Sequence, residues 1–305
     1  MSTQNSALVR DNSTLANFKS WASTISAFFT TAGWSKSSDT GQVNWSTIGS
    51  VPTVGTYVYE IWTPGDGLTA FYLKVEYGTG SASSNTAPAI RLSIGTSTNG
   101  AGTLTGFVTS TVVVPPTSQT VTSTVTQWQC YFSGDTGRIG VMMWRDDNPI
   151  FFGVQRSLNS SGTTTSSYVT LLANGVNGTS SSSFQQSVVF GVGVSTLITP
   201  AANDGGMIAL FPHGNSNTSA SALFNGNAAI SPVFPLVGYY DNPMDIAAVG
   251  CYNDFTEGST YVIASANMPY GVSHTYLCGK KGAFPTIATN GASAASECAF
   301  LMRYD

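Results

Sequence analysis

Apolar side chains early in the chain recur every three to four positions, at Leu15, Phe18, Trp21, Ile25, Phe28 and Phe29. That spacing puts all six on one face of an α-helix. The pattern therefore predicts a helix over about 14–32, roughly five turns long. Asn12 or Ser13 can cap its start, and Gly33 can end it in a left-handed turn. A face this aromatic has to be covered, either by the body of its own chain or by a neighbouring subunit. The six residues are therefore a candidate interface.

From Tyr57 onward the period falls to two. Phe71, Leu73, Val75 and Tyr77 alternate with Tyr72, Lys74 and Glu76, and Ile90, Leu92 and Ile94 alternate with Arg91 and Ser93. Further strands are predicted at 56–62, 104–114, 127–132, 138–144, 150–156, 168–173, 188–194, 207–211, 233–240, 245–251, 260–265 and 297–303. Turns rich in Gly, Ser, Asn and Pro separate them. No helical period intervenes between strands, which excludes a parallel α/β sheet. The predicted fold class is mainly β, an antiparallel β-sandwich or jelly roll with one N-terminal amphipathic helix. Three segments follow: an arm over 1–54 carrying the helix, a β-sandwich over 55–198, and a β-rich module over 199–305 that either stands alone or continues the sandwich. The stretches 157–167 and 177–183 read as polar loops.

Charge changes the picture most. Only 9% of the 305 residues are charged, against about 25% in an ordinary soluble domain, and the net charge is −4. No Asp, Glu, Lys or Arg occurs from 92 to 134 or from 157 to 203. Strands in these stretches must have uncharged outer faces. Such a face can be covered by a neighbour without the free-energy cost of desolvating ions. An acidic chain without a clustered basic face is not a nucleic-acid binder. Apolar runs fall short of a membrane-spanning helix, so no membrane insertion is expected. The first fourteen residues lack the basic and apolar regions of a secretory signal. Cys130, Cys251, Cys278 and Cys298 are too few for a disulfide scaffold and too far apart for a paired zinc site, so no metal and no cofactor is expected.

Catalytic patterns are scarce. Asp39-Thr40-Gly41 and Asp135-Thr136-Gly137 are two copies of the triplet that aspartic proteases use. Here Ser38 and Gly134 precede them where a hydrophobic strand should end, so both read as turns. Asp241, Asp245, Asp254 and Glu257 form a loose acidic group, and His213 and His274 are the only histidines. No nucleophile elbow or phosphate-binding glycine loop accompanies them, so no catalytic residue is assigned. Aromatic rings can act as platforms for sugars. Trp34, Trp45, Trp62, Tyr239 and Tyr240, which lie outside cleanly alternating runs or beside polar groups, are the candidate glycan contacts.

Several stretches resemble structural proteins of tailed-bacteriophage virions. They are 7–22 (ALVRDNSTLANFKSWA), Gly33-Trp34, 39–43 (DTGQV), 57–62 (YVYEIW), 71–78 (FYLKVEYG) and 130–137 (CYFSGDTG). The resemblance covers mainly the first 195 residues. It implies a non-enzymatic virion component of the tail, baseplate, fibre attachment or capsid surface, assembled in the cytoplasm of the bacterial host. Its partners would be copies of itself and other virion proteins. The alternative is a lectin-like module that recognises a glycan on the host surface, with a depolymerase or aspartic-type protease behind it. Reducing conditions in the bacterial cytoplasm also suit thiols rather than disulfides.

Overall fold

A computed structural model describes residues 1–9, 11–80, 88–109, 111–114, 127–145, 148–158, 161–174, 176–177, 187–193, 197–198, 207–209, 229–235, 245–251, 256, 258–263, 272–281 and 298–305. In chain order the elements are β1 (Ser2–Val9), α1 (Leu15–Thr31), β2 (Ser35–Lys36), β3 (Tyr57–Thr63), β4 (Tyr72–Thr79), β5 (Pro88–Thr98), β6 (Leu104–Val108) and β7 (Val112–Val114). Next come β8 (Gln127–Asp135), β9 (Arg138–Arg145), β10 (Asn148–Leu158), β11 (Thr164–Asn174), β12 (Val176–Asn177), β13 (Ser187–Gly193) and β14 (Leu197–Ile198). The last are β15 (Met207–Ala209), β16 (Ala229–Pro235), β17 (Ala247–Cys251), β18 (Thr260–Ile263), β19 (His274–Lys281) and β20 (Cys298–Arg303). Among the described residues the fold is mainly β, with antiparallel sheets and one helix.

The strands form three sheets. The first has the order β1-β8-β9-β10-β11-β13-β14, and the second β12-β7-β5-β4-β3-β2 with β6 also on β5. The third has the order β15-β16-β17-β20-β19-β18. The predicted strand over 104–114 is divided into β6 and β7, which both pair with β5. The register shifts between Gly95 and Ser97, where Gly106 stands at φ 76° as an extra residue. Five of the described strands are not predicted from the sequence: β1, β19 and the two-residue strands β2, β12 and β14. The polar stretch 157–167 is largely hairpin rather than loop, because Leu158 pairs with Thr164. The stretch 177–183 lies outside the described residues, apart from Asn177 in β12.

Helix α1 forms where the aromatic period placed it, but its cap is Thr14 rather than Asn12 or Ser13. The Thr14 hydroxyl accepts from the Asn17 N–H at 3.1 Å. Asn12 is instead a tertiary latch. It accepts from Trp21 Nε1 at 3.0 Å and donates to the Gly78 carbonyl at 2.9 Å and to Thr79 Oγ1 at 2.8 Å. The helix ends in a Schellman turn. Trp34 N–H reaches the Phe29 carbonyl, Gly33 N–H reaches that of Thr30, and Gly33 sits at φ 90°. The Phe29 and Trp34 rings meet edge-on across that turn, 5.8 Å apart.

The aromatic face of α1 lies inside a single core cluster that contains side chains of both the first and second sheets. Phe28 packs on Phe132 of β8, while Phe29 stacks on Trp62 of β3 at 5.0 Å. The helix and β1 are thus built into the body of the chain. They do not form a separate arm.

Candidate functional site

At β9 and β10 the first sheet is buried on both faces, for reasons visible in its register. Ile139, Val141 and Met143 of β9 lie opposite Val154, Phe152 and Ile150 of β10. Ile139, Val141, Met143, Phe152 and Val154 belong to the core cluster with α1. The opposite face carries Arg138, Gly140 and Met142, paired with Gln155, Gly153 and Phe151. The two glycines lie side by side and let the third sheet approach closely. A Cβ on Gly140 would stand 3.1 Å from Met302 Sδ, and one on Gly153 only 2.5 Å from Ile246 Cδ1. At one end of this glycine floor, Arg138 and Gln155 meet Asp245, His274 and Arg303, and these groups line a cavity of about 180 Å³.

The turn at Asp135-Thr136-Gly137 puts Arg138 there. Asp135 Oδ1 accepts the Gly137 N–H at 3.0 Å, closing the expected Asx turn. Arg138 is 2% exposed. Its Nη2 donates to Ser133 Oγ at 3.4 Å and to the Asp305 carbonyl at 3.2 Å, with Nε 3.5 Å from Asp135 Oδ2. Burial and the neighbouring Arg303 pull its pKa below the ordinary arginine value, against Asp135, Asp245 and Asp305.

Gln155 is held at both ends. Its Oε1 accepts the backbone N–H groups of Asp245 (3.1 Å) and Ile246 (2.9 Å), and its Nε2 donates to Asp245 Oδ1 at 2.5 Å. His274 bridges two carboxylates, with Nε2 3.3 Å from Asp245 Oδ2 and Nδ1 3.2 Å from Asp305 Oδ2. Burial works against its protonation, but these hydrogen bonds prevail and raise its pKa. Arg303 closes the ring with ion pairs to Asp245 and to Asp305, the latter at 2.8 Å. Asp305 is driven far below the usual carboxylate range: its own burial is outweighed by His274, Arg303 and the Thr275 N–H. Arg156, one residue on, ties the first sheet to the second. It pairs with Asp66, donates to the Thr69 carbonyl at 2.7 Å and lies over the Phe71 ring.

A second buried ion pair lies beneath α1. Glu60 is fully buried, and its Oε1 accepts from Ser26 Oγ (2.9 Å) and Trp45 Nε1 (2.8 Å) while pairing with Lys36.

Chemically, the junction is a lock. Both ring nitrogens of His274 face carboxylates, so neither is left to take a proton from a nucleophile. Each carboxylate there is matched by a cation. Among the described residues, no three His, Cys, Asp or Glu side chains are placed to hold a metal.

The sequence-predicted site residues are placed as follows. Phe18, Trp21, Ile25, Phe28 and Phe29 are fully buried within the chain's own core, and Leu15 packs against it. That corrects the reading of these five as an interface, since side chains already buried in the core have no surface left for a neighbour, while Leu15 is half-buried. Trp34 and Trp62 are 2% and 1% exposed, which corrects their reading as glycan platforms; a buried indole has no free face. Trp45 is half-buried and its N–H is taken by Glu60. Tyr239 and Tyr240 lie outside the described residues, as do Asp241, Asp254, Glu257 and His213. Asp39 and Asp135 serve separate turns. Asp39 accepts from Ser37, Thr98 and the Gly102 N–H, and it shares no partner with Asp135.

Sequence reasoning missed the junction. Its signal was present as Arg138, Gln155 and Arg156, polar residues in otherwise apolar strands, and as two glycines that the hairpin sets opposite each other. Cys130 and Cys278 are buried thiols, and the β17–β20 register sets Cys251 opposite Cys298. No family model matches the chain, and no curated protein is similar to it in sequence.

Proposed function

We propose that the chain is a non-enzymatic structural subunit of a tailed-phage virion, assembled in the bacterial cytoplasm through uncharged β surfaces onto copies of itself and other virion proteins. One observation carries this reading: a chain already poor in charge places several of its ionisable side chains inside the fold. Glu60, Arg138, Arg156 and Asp245 are buried, and Asp11 and Asp39 nearly so. A protein that stays free in solution keeps roughly a quarter or more of its surface charged. Here 9% charge overall, with part of it buried, leaves charge-free stretches rich in Ser, Thr, Asn and Gly that a neighbour can cover cheaply. The sequence resemblance at 7–22, 57–62, 71–78 and 130–137 supports the same reading. The helix contributes as the keel of the subunit rather than as a contact.

Within this reading the first two sheets and α1 form a β-sandwich-like body, and the third sheet is a C-terminal layer locked onto it by the Arg138–Gln155–Asp245–His274 junction. Quantitative mass spectrometry of gradient-purified particles tests the function. The chain should be present in a fixed copy number and survive a high-salt wash; its absence from intact particles overturns the proposal.

A further inference from the structure

The three sheets end in strands of very unequal character. Among the described residues, β2, β12 and β14 have two residues each, with Lys36 in β2, while β15 has three and β18 four. β6 is interrupted by Gly106 at its register shift. Short length, a charge or a bulge are the usual devices that stop an edge from pairing with another chain. β1 has none of them. It runs for eight residues, STQNSALV, with no charge, Pro or Gly, and its pairing to β8 is unbroken from Ser2↔Gly134 to Val9↔Gln127. Its other edge has no strand beside it among the described residues. Along it, Thr3, Asn5 and Ala7 are exposed, while Ser2, Gln4 and Ser6 are half-buried and Leu8 is buried.

We propose that β1 pairs edge to edge with β1 of a second copy, antiparallel and about a two-fold axis, joining two seven-stranded sheets into one. This rests on the structural-subunit reading and names its partner. A second copy fits because the strand is uncharged throughout, so its own mirror sequence offers no like-charge clash. Symmetry then fixes the register. A two-fold axis between antiparallel strands stands perpendicular to the sheet, so exposed odd positions face odd ones and the half-buried even positions face even ones. Centring on Asn5 sets Ser2 against Leu8, Thr3 against Ala7 and Gln4 against Ser6. It also leaves Arg10 beyond the paired segment, whereas a centre at Ser6 would bring it in. One pair of edges is smaller than a standard stable interface, so the dimer alone is weak and concentration-dependent.

Sedimentation velocity over a hundredfold concentration range tests this on the full chain. Wild type should shift reversibly from monomer to dimer. Asn5→Lys puts two ammonium groups opposite each other at the centre and should weaken the dimer about tenfold or more. Asn5→Asp should do the same, and an equimolar mixture of the two should recover association as a heterodimer. Because Asn5 is exposed, both variants should melt at the wild-type temperature, and Ala7→Lys serves as a second exposed probe. A wild type that remains monomeric overturns the inference, as does equal association of all variants or a mixture that fails to recover. If incorporation into particles is lost in the Lys variant while wild type is monomeric, the edge pairs with a different protein and the second-copy assignment is wrong. Copy number in particles is measured independently, so the structural reading can stand when this pairing fails.

Discussion

Gln155→Ala is the sharpest probe of how the third sheet is held. The substitution removes the side-chain acceptor of the backbone N–H groups of Asp245 and Ile246, at 3.1 and 2.9 Å, and the donor to Asp245 Oδ1. Asp245 and Ile246 are both 1% exposed, so water cannot replace the lost acceptor without opening the junction. A buried donor left unsatisfied costs about 1–3 kcal/mol. Two of them, with some relaxation, amount to about 2–4 kcal/mol. The loss should fall on the third sheet, because Gln155 bonds across the junction and not into α1. Native-state hydrogen exchange reads this directly. Amides of Tyr276 and Leu277 should lose protection by about 30- to 1000-fold, while those of Leu73 and Val75 in β4 keep theirs. Gln155→Glu retains an acceptor for both N–H groups but sets a carboxylate against Asp245. It should therefore be milder at low pH and worsen as that carboxylate ionises. Unchanged exchange at 276–277, with a stability change under about 0.5 kcal/mol, would refute the lock.

His274 gives the junction a pH dependence of known sign. Its pKa is raised above 6.5 in the fold, so its contribution is complete below that value and is lost as pH rises through the folded value. Asp305, shifted down from 3.8, contributes above that value and loses its effect in strong acid. The melting temperature should therefore fall as pH rises above 6.5, and His274→Gln should flatten that slope; an equally steep slope in the variant contradicts the assignment. Asn12→Ala strips partners from Trp21 Nε1 and the Gly78 carbonyl, for a loss of about 2–3 kcal/mol in urea unfolding. A loss no larger than about 0.5 kcal/mol would show the Asn12 latch to be dispensable.

The aromatic period of α1, its glycine stop and most of the strands were legible in the sequence, because each depends on neighbours within a few residues. The same local logic identified the Asp135-Thr136-Gly137 turn. It misjudged Asn12, which has the composition of a helix cap but finds stronger partners on Trp21 and the end of β4. It also overlooked β1, whose Ser, Thr, Gln and Asn give no hydrophobic alternation. That strand exists because β8 offers it a continuous ladder of hydrogen bonds. The polar junction was invisible for a related reason. Arg138, Gln155, Asp245, His274, Arg303 and Asp305 come from distant parts of the chain, and only the stacking of the third sheet on the Gly140–Gly153 floor brings them together. Periodicity along one strand reports that a face is apolar or polar. Which layer covers that face, and whether a buried charge will find its counterion there, is decided by contacts between residues far apart in sequence.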